Sequence, residues 1–265
     1  MQYATPDNLV EVTPLGQSGF RFRFSSVTLY IDPYLSNSVE EAEGHDFRRL
    51  VPIWKSPHLI KDADWVLITH THMDHCDVDT LVPLSHASEQ CRFVGPQDVG
   101  DVLVAQGIAT RRFIHATYNW LLLGKDLRVH PVLAAHPTIE TDTEGSYRYV
   151  GYLIDYCGKR IYHSGDTLLN TAVIEAVQSF KPIDMAILPV NECNHYRNDR
   201  GIIGNMSVRE AFRFAMDLQV TTFVPMHWDM FAPNSVYREE IETYYQLAQP
   251  PFRMLLYPNQ IGISL

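Results

Sequence analysis

The sequence lacks any apolar run approaching the roughly 20 residues that a membrane-spanning helix needs, so no membrane partner is expected. It also lacks internal repeats, low-complexity segments and a recognisable linker, and one domain over residues 1–265 is the expectation. Cysteine is scarce. Cys76, Cys91, Cys157 and Cys193 are scattered with no CxxC pair, which suits reduced thiols in a cytoplasm better than a disulfide framework. Basic residues are outnumbered, 21 Lys and Arg against 31 Asp and Glu, for a formal net charge of −10. Phosphate backbones are bound mainly through Lys and Arg, so nucleic acid is not the expected partner. A small anionic substrate remains compatible, because it answers to a local cluster of charge rather than to the total. The start, Met1 to Asp7, has neither a basic head nor an apolar stretch and does not read as a signal peptide. Whether copies associate into a homo-oligomer stays open.

What is present is a chain 46% hydrophobic, enough for a sizeable core. Leu9 to Thr13, Gly19 to Phe24 and Val27 to Ile31 read as short strands with tight connections. Leu35 to Pro57 is polar, irregular and long for a plain connection, which makes it a candidate active-site flap. Val78 to Leu84 reads as a helix capped by Asp77 or Asp79, Arg92 to Gly95 as a strand, Pro96 to Ala105 as a helix and Arg111 to Ala116 as a strand. Leu121 to Leu123 with Leu127 to Ala135, and Tyr147 to Tyr156 with Arg160 to His163, read as hairpins. Helices follow at Leu168 to Phe180, Ser207 to Leu218 and Ser235 to Leu247, with strands at Asp184 to Val190, Thr221 to Pro225, Phe252 to Tyr257 and Ile261 to Leu265. Patterning alone gives a mixed α/β domain.

The chemistry concentrates in one stretch. Trp65-Val66-Leu67-Ile68 reads as a buried strand, and Thr69-His70-Thr71-His72-Met73-Asp74-His75 follows it. Residues two apart on an extended chain point to one side, so His70 and His72 can converge on one metal ion. A turn after them sets Asp74 and His75 toward a second point a few ångströms away. Cys76, next door, reads better as a small buried filler than as a ligand. Asp32, before Pro33, has two readings: a carboxylate that orients a ligand histidine from behind, or a residue that starts a turn.

The His70–His75 segment resembles the HxHxDH signature of the metallo-β-lactamase-fold hydrolases. Three later residues match that family's remaining ligands in order: His136 in Ala-Ala-His-Pro, Asp166 in His-Ser-Gly-Asp-Thr, and His227 in Pro-Met-His-Trp-Asp-Met-Phe. The resemblance implies a four-layer αββα sandwich and two divalent ions, zinc or manganese. His70, His72 and His136 would hold one, Asp74, His75 and His227 the other, with Asp166 bridging. Asp74 and Asp166 would then be the catalytic carboxylates. His130, six residues before His136 in the same strand, is the alternative third ligand. Two ions about 3.5–4 Å apart can share a water and bring its pKa toward neutrality, so no Ser or Cys nucleophile is needed. Di-iron oxidoreductases of this fold usually carry Glu where this chain has His72, which favours a hydrolase.

Gly201-Ile202-Ile203-Gly204-Asn205-Met206, the helix after it and the His227 segment look like the L-ascorbate-6-phosphate lactonase branch of that family. That resemblance implies hydrolysis of a phosphorylated sugar-acid lactone. Asn194, His195, Arg197 and Arg200, in the polar stretch after the strand ending at Val190, are the candidate substrate contacts, with Arg48 and Arg49 as helpers. The other readings are a phosphodiesterase or phospholipase-type hydrolase and a non-catalytic metal-binding protein of the same fold.

Overall fold

The computed structural model describes residues 9–257 and 261–264. The Met1 to Asp7 segment and Leu265 lie outside the described residues. Two seven-stranded sheets form the centre. The first contains β1 (Leu9–Gly16), β2 (Gly19–Phe24), β3 (Val27–Ile31), β4 (Trp65–Leu67), β5 (Arg92–Gly95), β6 (Phe113–His115) and, beside β1, β14 (Ile261–Ser264). The second runs in order from β7 (Leu121–Gly124) through β8 (Leu127–Leu133), β9 (Val150–Tyr156), β10 (Lys159–His163), β11 (Met185–Pro189) and β12 (Thr222–Met226) to β13 (Arg253–Met254). Each sheet is antiparallel in one half and parallel in the other: β3 to β6 and β10 to β13 pair in parallel.

Alternation along the strands explains the layering, because successive side chains leave a strand on opposite faces. Phe20, Phe22, Leu29, Ile31, Trp65 and Leu67 of the first sheet share one core with Val129, Tyr152, Ile154, Met185, Ile187 and Val224 of the second. The residues between them face outward. Tyr30, Val66 and Phe93 pack with Leu81 and Leu84 of α2 (Val78–Ala87) and Val99 and Leu103 of α3 (Gln97–Ala105). Leu153, Ala186, Leu188 and Phe223 pack under α4 (Thr171–Gln178), α6 (Val208–Leu218) and α7 (Arg238–Ala248). The result is the expected αββα sandwich. Burying one large apolar side chain contributes roughly 1.5–3 kcal/mol, so these three clusters dominate the favourable side of folding.

Local signals set the helix ends. Ser207 and Glu210 form a reciprocal capping box at the start of α6. Its apolar positions Val208, Ala211, Phe212, Ala215 and Leu218 recur at helical spacing on the buried side, with Arg209 and Arg213 exposed opposite. Two helices begin three residues later than expected. Asn170 takes the Val173 N–H on its side chain, so α4 starts at Thr171 rather than Leu168. A single turn at Ala232–Asn234 precedes α7, which starts at Arg238 rather than Ser235. The Leu35 to Pro57 stretch carries α1 (Ser38–Glu43) and short turns at His45–Phe47 and Pro57–Leu59. The polar stretch after β11 holds the short α5 (His195–Asn198).

Candidate metal centre

The carboxyl-end edges of the two sheets meet at one place, and the segments leaving β3, β4, β8, β10 and β12 all arrive there. After β4 the chain pairs once more through Ile68 N to Val94 O and then turns, with His75 N and Cys76 N both donating to His72 O. That turn brings Asp74 and His75 back beside His70. The Asp166 segment needs Gly165: its φ is +59°, and an added Cβ would meet Val150 O at 2.7 Å and Thr69 at 2.9 Å. His227, at φ +60°, is held by its N–H donating to Gln17 O.

Three overlapping groups of donors result: His70, His72 and His136; His70, His75 and Asp166; and Asp74, His75 and His227, each with its donor atoms within 4.8 Å of one another. Asp166 lies between them. Its Oδ1 is 3.5 Å from His75 Nε2, and its Oδ2 is 3.2 Å from His227 Nε2 and 3.7 Å from His136 Nε2. His130 is elsewhere, on the helix-covered side of the second sheet against Trp120 and Phe180.

The electrostatics suit a cation. Burial, with the nearby charges of His75 and His72, holds His70 well below the usual imidazole range. Burial likewise brings His136 down to about 4. Both rings are therefore neutral at pH 7 and each keeps one nitrogen lone pair, with His70 Nε2 set 2.9 Å from His72 Nδ1. Burial would raise the Asp166 carboxyl, but His227 and His75 beside it outweigh that and keep it ionised. For His75 burial lowers the pKa, and Asp166, Asp74 and Asp32 overcome it. His75 Nε2 is buried, faces two carboxylates and has no hydrogen-bond partner among the described residues. An ionised carboxylate among buried imidazoles, with His75 Nε2 unpartnered between two carboxylates, fits a bound divalent cation.

Asp32 lies directly behind this cluster. Its Oδ1 accepts from Thr69 N at 2.8 Å, and its Oδ2 accepts from Thr69 Oγ1 at 2.6 Å and from His75 Nδ1 at 2.7 Å. The turn-starting reading therefore describes only its backbone, at φ +41°. With His75 Nδ1–H held by Asp32, Nε2 is the nitrogen that would give its lone pair to an ion.

Sequence reasoning passed over Gln17. Set at φ +56° in the turn between β1 and β2, it places Nε2 2.7 Å from Asp74 Oδ2 and 3.2 Å from His227 Nε2. Next to it, Ser18 O accepts from His163 Nε2 at 2.9 Å, tying this turn to the strand that delivers Asp166. The one available signal was a long polar residue in a tight Gly16-Gln17-Ser18-Gly19 turn, where nothing local needs it. Tyr149, also unremarked, sits against the rings of His70, His72 and His136.

The expected substrate contacts divide. Arg200 lines the cleft of about 390 Å³ that contains His72, Asp74, His136, Asp166 and His227. It also lines an adjoining chamber of about 690 Å³ together with Arg48, His45 and Tyr196. The other four assignments need correction. Arg197 is buried and its donors are engaged: Nε to Asn234 Oδ1, Nη1 to Glu192 O and Nη2 to Ser235 O. Arg49 donates to Tyr34 O, Ser36 O and Val51 O and stacks on Tyr34, which pins the Leu35–Pro57 stretch. Asn194 caps α5 through Arg197 N, and its Nδ2 goes to Glu192. His195 is exposed on α5 and lines neither cavity.

Known proteins share this architecture. Probable L-ascorbate-6-phosphate lactonases of Salmonella paratyphi B and Salmonella newport are 27% identical to the chain over 212 residues, 75% of its length. The chain spans 58% of the length of those relatives. Among solved structures, Igni18, a metallo hydrolase from Ignicoccus hospitalis KIN4/I, is 20% identical with a TM-score of 0.72, covering 97% of this chain and 99% of that one. An isothiocyanate hydrolase from Delia radicum gut bacteria is 17% identical with a TM-score of 0.75, covering 96% and 99%. These two likenesses speak to the fold. The family model described as "Beta-lactamase superfamily domain" matches residues 28–228, a span that takes in all seven candidate metal ligands, and the chain belongs to that family, with the metallo-β-lactamase fold.

Proposed function

We propose that this chain opens a small anionic lactone or ester, with the lactone of a phosphorylated sugar acid as the leading substrate. His70, His72, His136, Asp74, His75, His227 and Asp166 would hold two divalent ions, zinc or manganese. Ions so held supply Lewis-acid polarisation of a carbonyl and water of lowered pKa. Asp32 and Gln17 keep the donors in place. The observation that carries the substrate reading is the position of Arg200. Arg200 lines both the donor-lined cleft and the chamber containing Arg48, with Nη1 donating to Tyr196 O and the guanidinium over the Tyr196 ring, and among the described residues neither arginine is in an ion pair with a carboxylate. In a chain of net charge −10, two cations without acidic partners beside the cleft suit an anionic group on the substrate. The name of the Salmonella relatives supports the same class. The four thiols form no disulfide, in keeping with the cytoplasm as the compartment.

The test starts from chelator-treated protein reloaded with zinc or manganese, with metal content measured alongside turnover of paired phosphorylated and unphosphorylated lactones. Two ions per chain and a preference for the phosphorylated partner are expected. Arg200→Gln should remove about tenfold to a hundredfold of that preference, mainly through KM, as loss of one charged hydrogen bond implies. Absence of lactone hydrolysis with every metal would overturn the reading. So would a wild-type protein indifferent to the phosphate.

A further inference from the structure

Buried Arg197 fixes the orientation of a side chain in the cleft wall. A guanidinium only donates, so the Asn234 atom 3.2 Å from Arg197 Nε must be the carbonyl oxygen Oδ1. The same oxygen accepts from Asn191 Nδ2 at 3.0 Å. Asn191 offers its own Oδ1 to Asn205 Nδ2 at 3.0 Å, so each amide's orientation follows from the one before. Asn191 and Asn205 are fully buried. Turning the Asn234 carboxamide over would set its NH2 against two donors and forfeit both bonds. Its Nδ2 is thus the end that Arg197 and Asn191 leave unused, and among the described residues no hydrogen bond takes it up. Asn234 lines the same cleft as His72, Asp74, His136, Asp166 and His227.

We propose that Asn234 Nδ2 is a pre-set hydrogen-bond donor to a substrate hydroxyl, making Asn234 a specificity residue that favours polyhydroxylated lactones over bare ones. The inference rests on the lactone-hydrolase reading. A neutral NH2 matches a neutral hydroxyl oxygen, whereas Arg200 in the same cleft answers to the anion. Holding the donor in place beforehand removes the ordering cost of binding. A site built to bond a hydroxyl also discriminates against the analogue that lacks it. Arg197 is then a positioning residue that acts through Asn234.

The test compares metal-loaded wild type and Asn234→Ala on D-glucono-δ-lactone and δ-valerolactone. The readout is the ratio of the two kcat/KM values. In wild type this ratio should favour the hydroxylated lactone, and in the variant it should fall about tenfold, chiefly through KM. A purely structural role would lower both values together and leave the ratio unchanged, which would overturn the proposal. Asn234→Asp, which keeps an oxygen facing Arg197 and Asn191 and replaces only the NH2, serves if the alanine variant does not fold, and the same loss is expected. If wild type cleaves δ-valerolactone and ignores the gluconolactone, this proposal falls and the hydrolase reading stands. If wild type cleaves neither lactone with any metal, the lactone reading falls and takes this proposal with it.

Discussion

Replacing Asp32 with Asn should separate metal affinity from folding. Asp32 is fully buried, and Asn tolerates its φ of +41° as Asp does, so the backbone contribution cancels. The introduced carbonyl can keep the bond from Thr69 N. The introduced NH2 then lies where Oδ2 now accepts from His75 Nδ1. It donates, so Nδ1 must accept, and the ring proton moves to Nε2. That is the atom 3.5 Å from Asp166 and 3.7 Å from Asp74, and once protonated it has no lone pair for an ion. Changing the partner behind a ligand histidine costs about tenfold to a hundredfold in metal affinity, and reversing the tautomer points to the upper end. The metal-free protein should lose only about 1 kcal/mol, since the hydrogen bonds stay satisfiable. Asp32→Ala is the contrast. It leaves Thr69 N–H without an acceptor, at about 1–3 kcal/mol for a buried group, while the Thr69 hydroxyl keeps His70 Nδ1 at 2.9 Å and His75 Nδ1 at 3.4 Å as partners. The low end of that range, with about 1 kcal/mol more for alanine at positive φ, totals about 2 kcal/mol. In a chain of this size that lowers Tm by about 4–8 °C. Chelator competition gives the affinity and thermal melts of the metal-free protein give the stability. Wild-type metal affinity in Asp32→Asn, or a melt of Asp32→Ala within about 2 °C of wild type, would refute the reasoning.

Two further outcomes are expected. His136→Gln should reduce metal affinity strongly, and His130→Gln, in its packing site against Trp120 and Phe180, should leave it nearly unchanged; the reverse order in a chelator competition would move the third ligand to His130. At Asp62, burial alone would raise the carboxyl pKa, but hydrogen bonds from Arg21 and Tyr30 more than offset that and hold it below 3.8. A depressed folded pKa means that its stabilising effect is complete above the unfolded value and fades as pH falls through the folded one. The Tm gap between wild type and Asp62→Asn should thus stay constant from about pH 7 to 5 and narrow below about pH 4. A gap that narrows already near pH 6 would assign the effect to another group.

What could be read from the sequence follows from how locally each feature is determined. Strand alternation fixed which residues enter the inter-sheet core, and His70 to His75 declares itself within one strand and one turn. His130 and His136 share parity in an ideal strand, which is why the pattern alone left both open. β8 ends at Leu133, and the irregular continuation carries His136 to the sheet edge while His130 faces the helices. The arginines were less legible because their partners are distant. Arg197 is oriented by Asn234 and Ser235, far along the chain, and nothing near it distinguishes it from Arg200. Gln17 and Asn234 were missed for the same reason, since each acquires meaning only from neighbours contributed by distant segments of the chain.

The arrangement of the donors also dictates when the centre can exist during folding. His70 and His75 belong to the first sheet, and His136, Asp166 and His227 to the second, so the cluster closes only when the two sheets dock across their shared core. Contacts so far apart in sequence carry a loop-closure cost and form late. Interactions absent from the transition state act on unfolding rather than on folding. A cation at this seam would therefore work as a rivet and not as a template: it would leave the rate of folding nearly as it was and lengthen the lifetime of the folded chain.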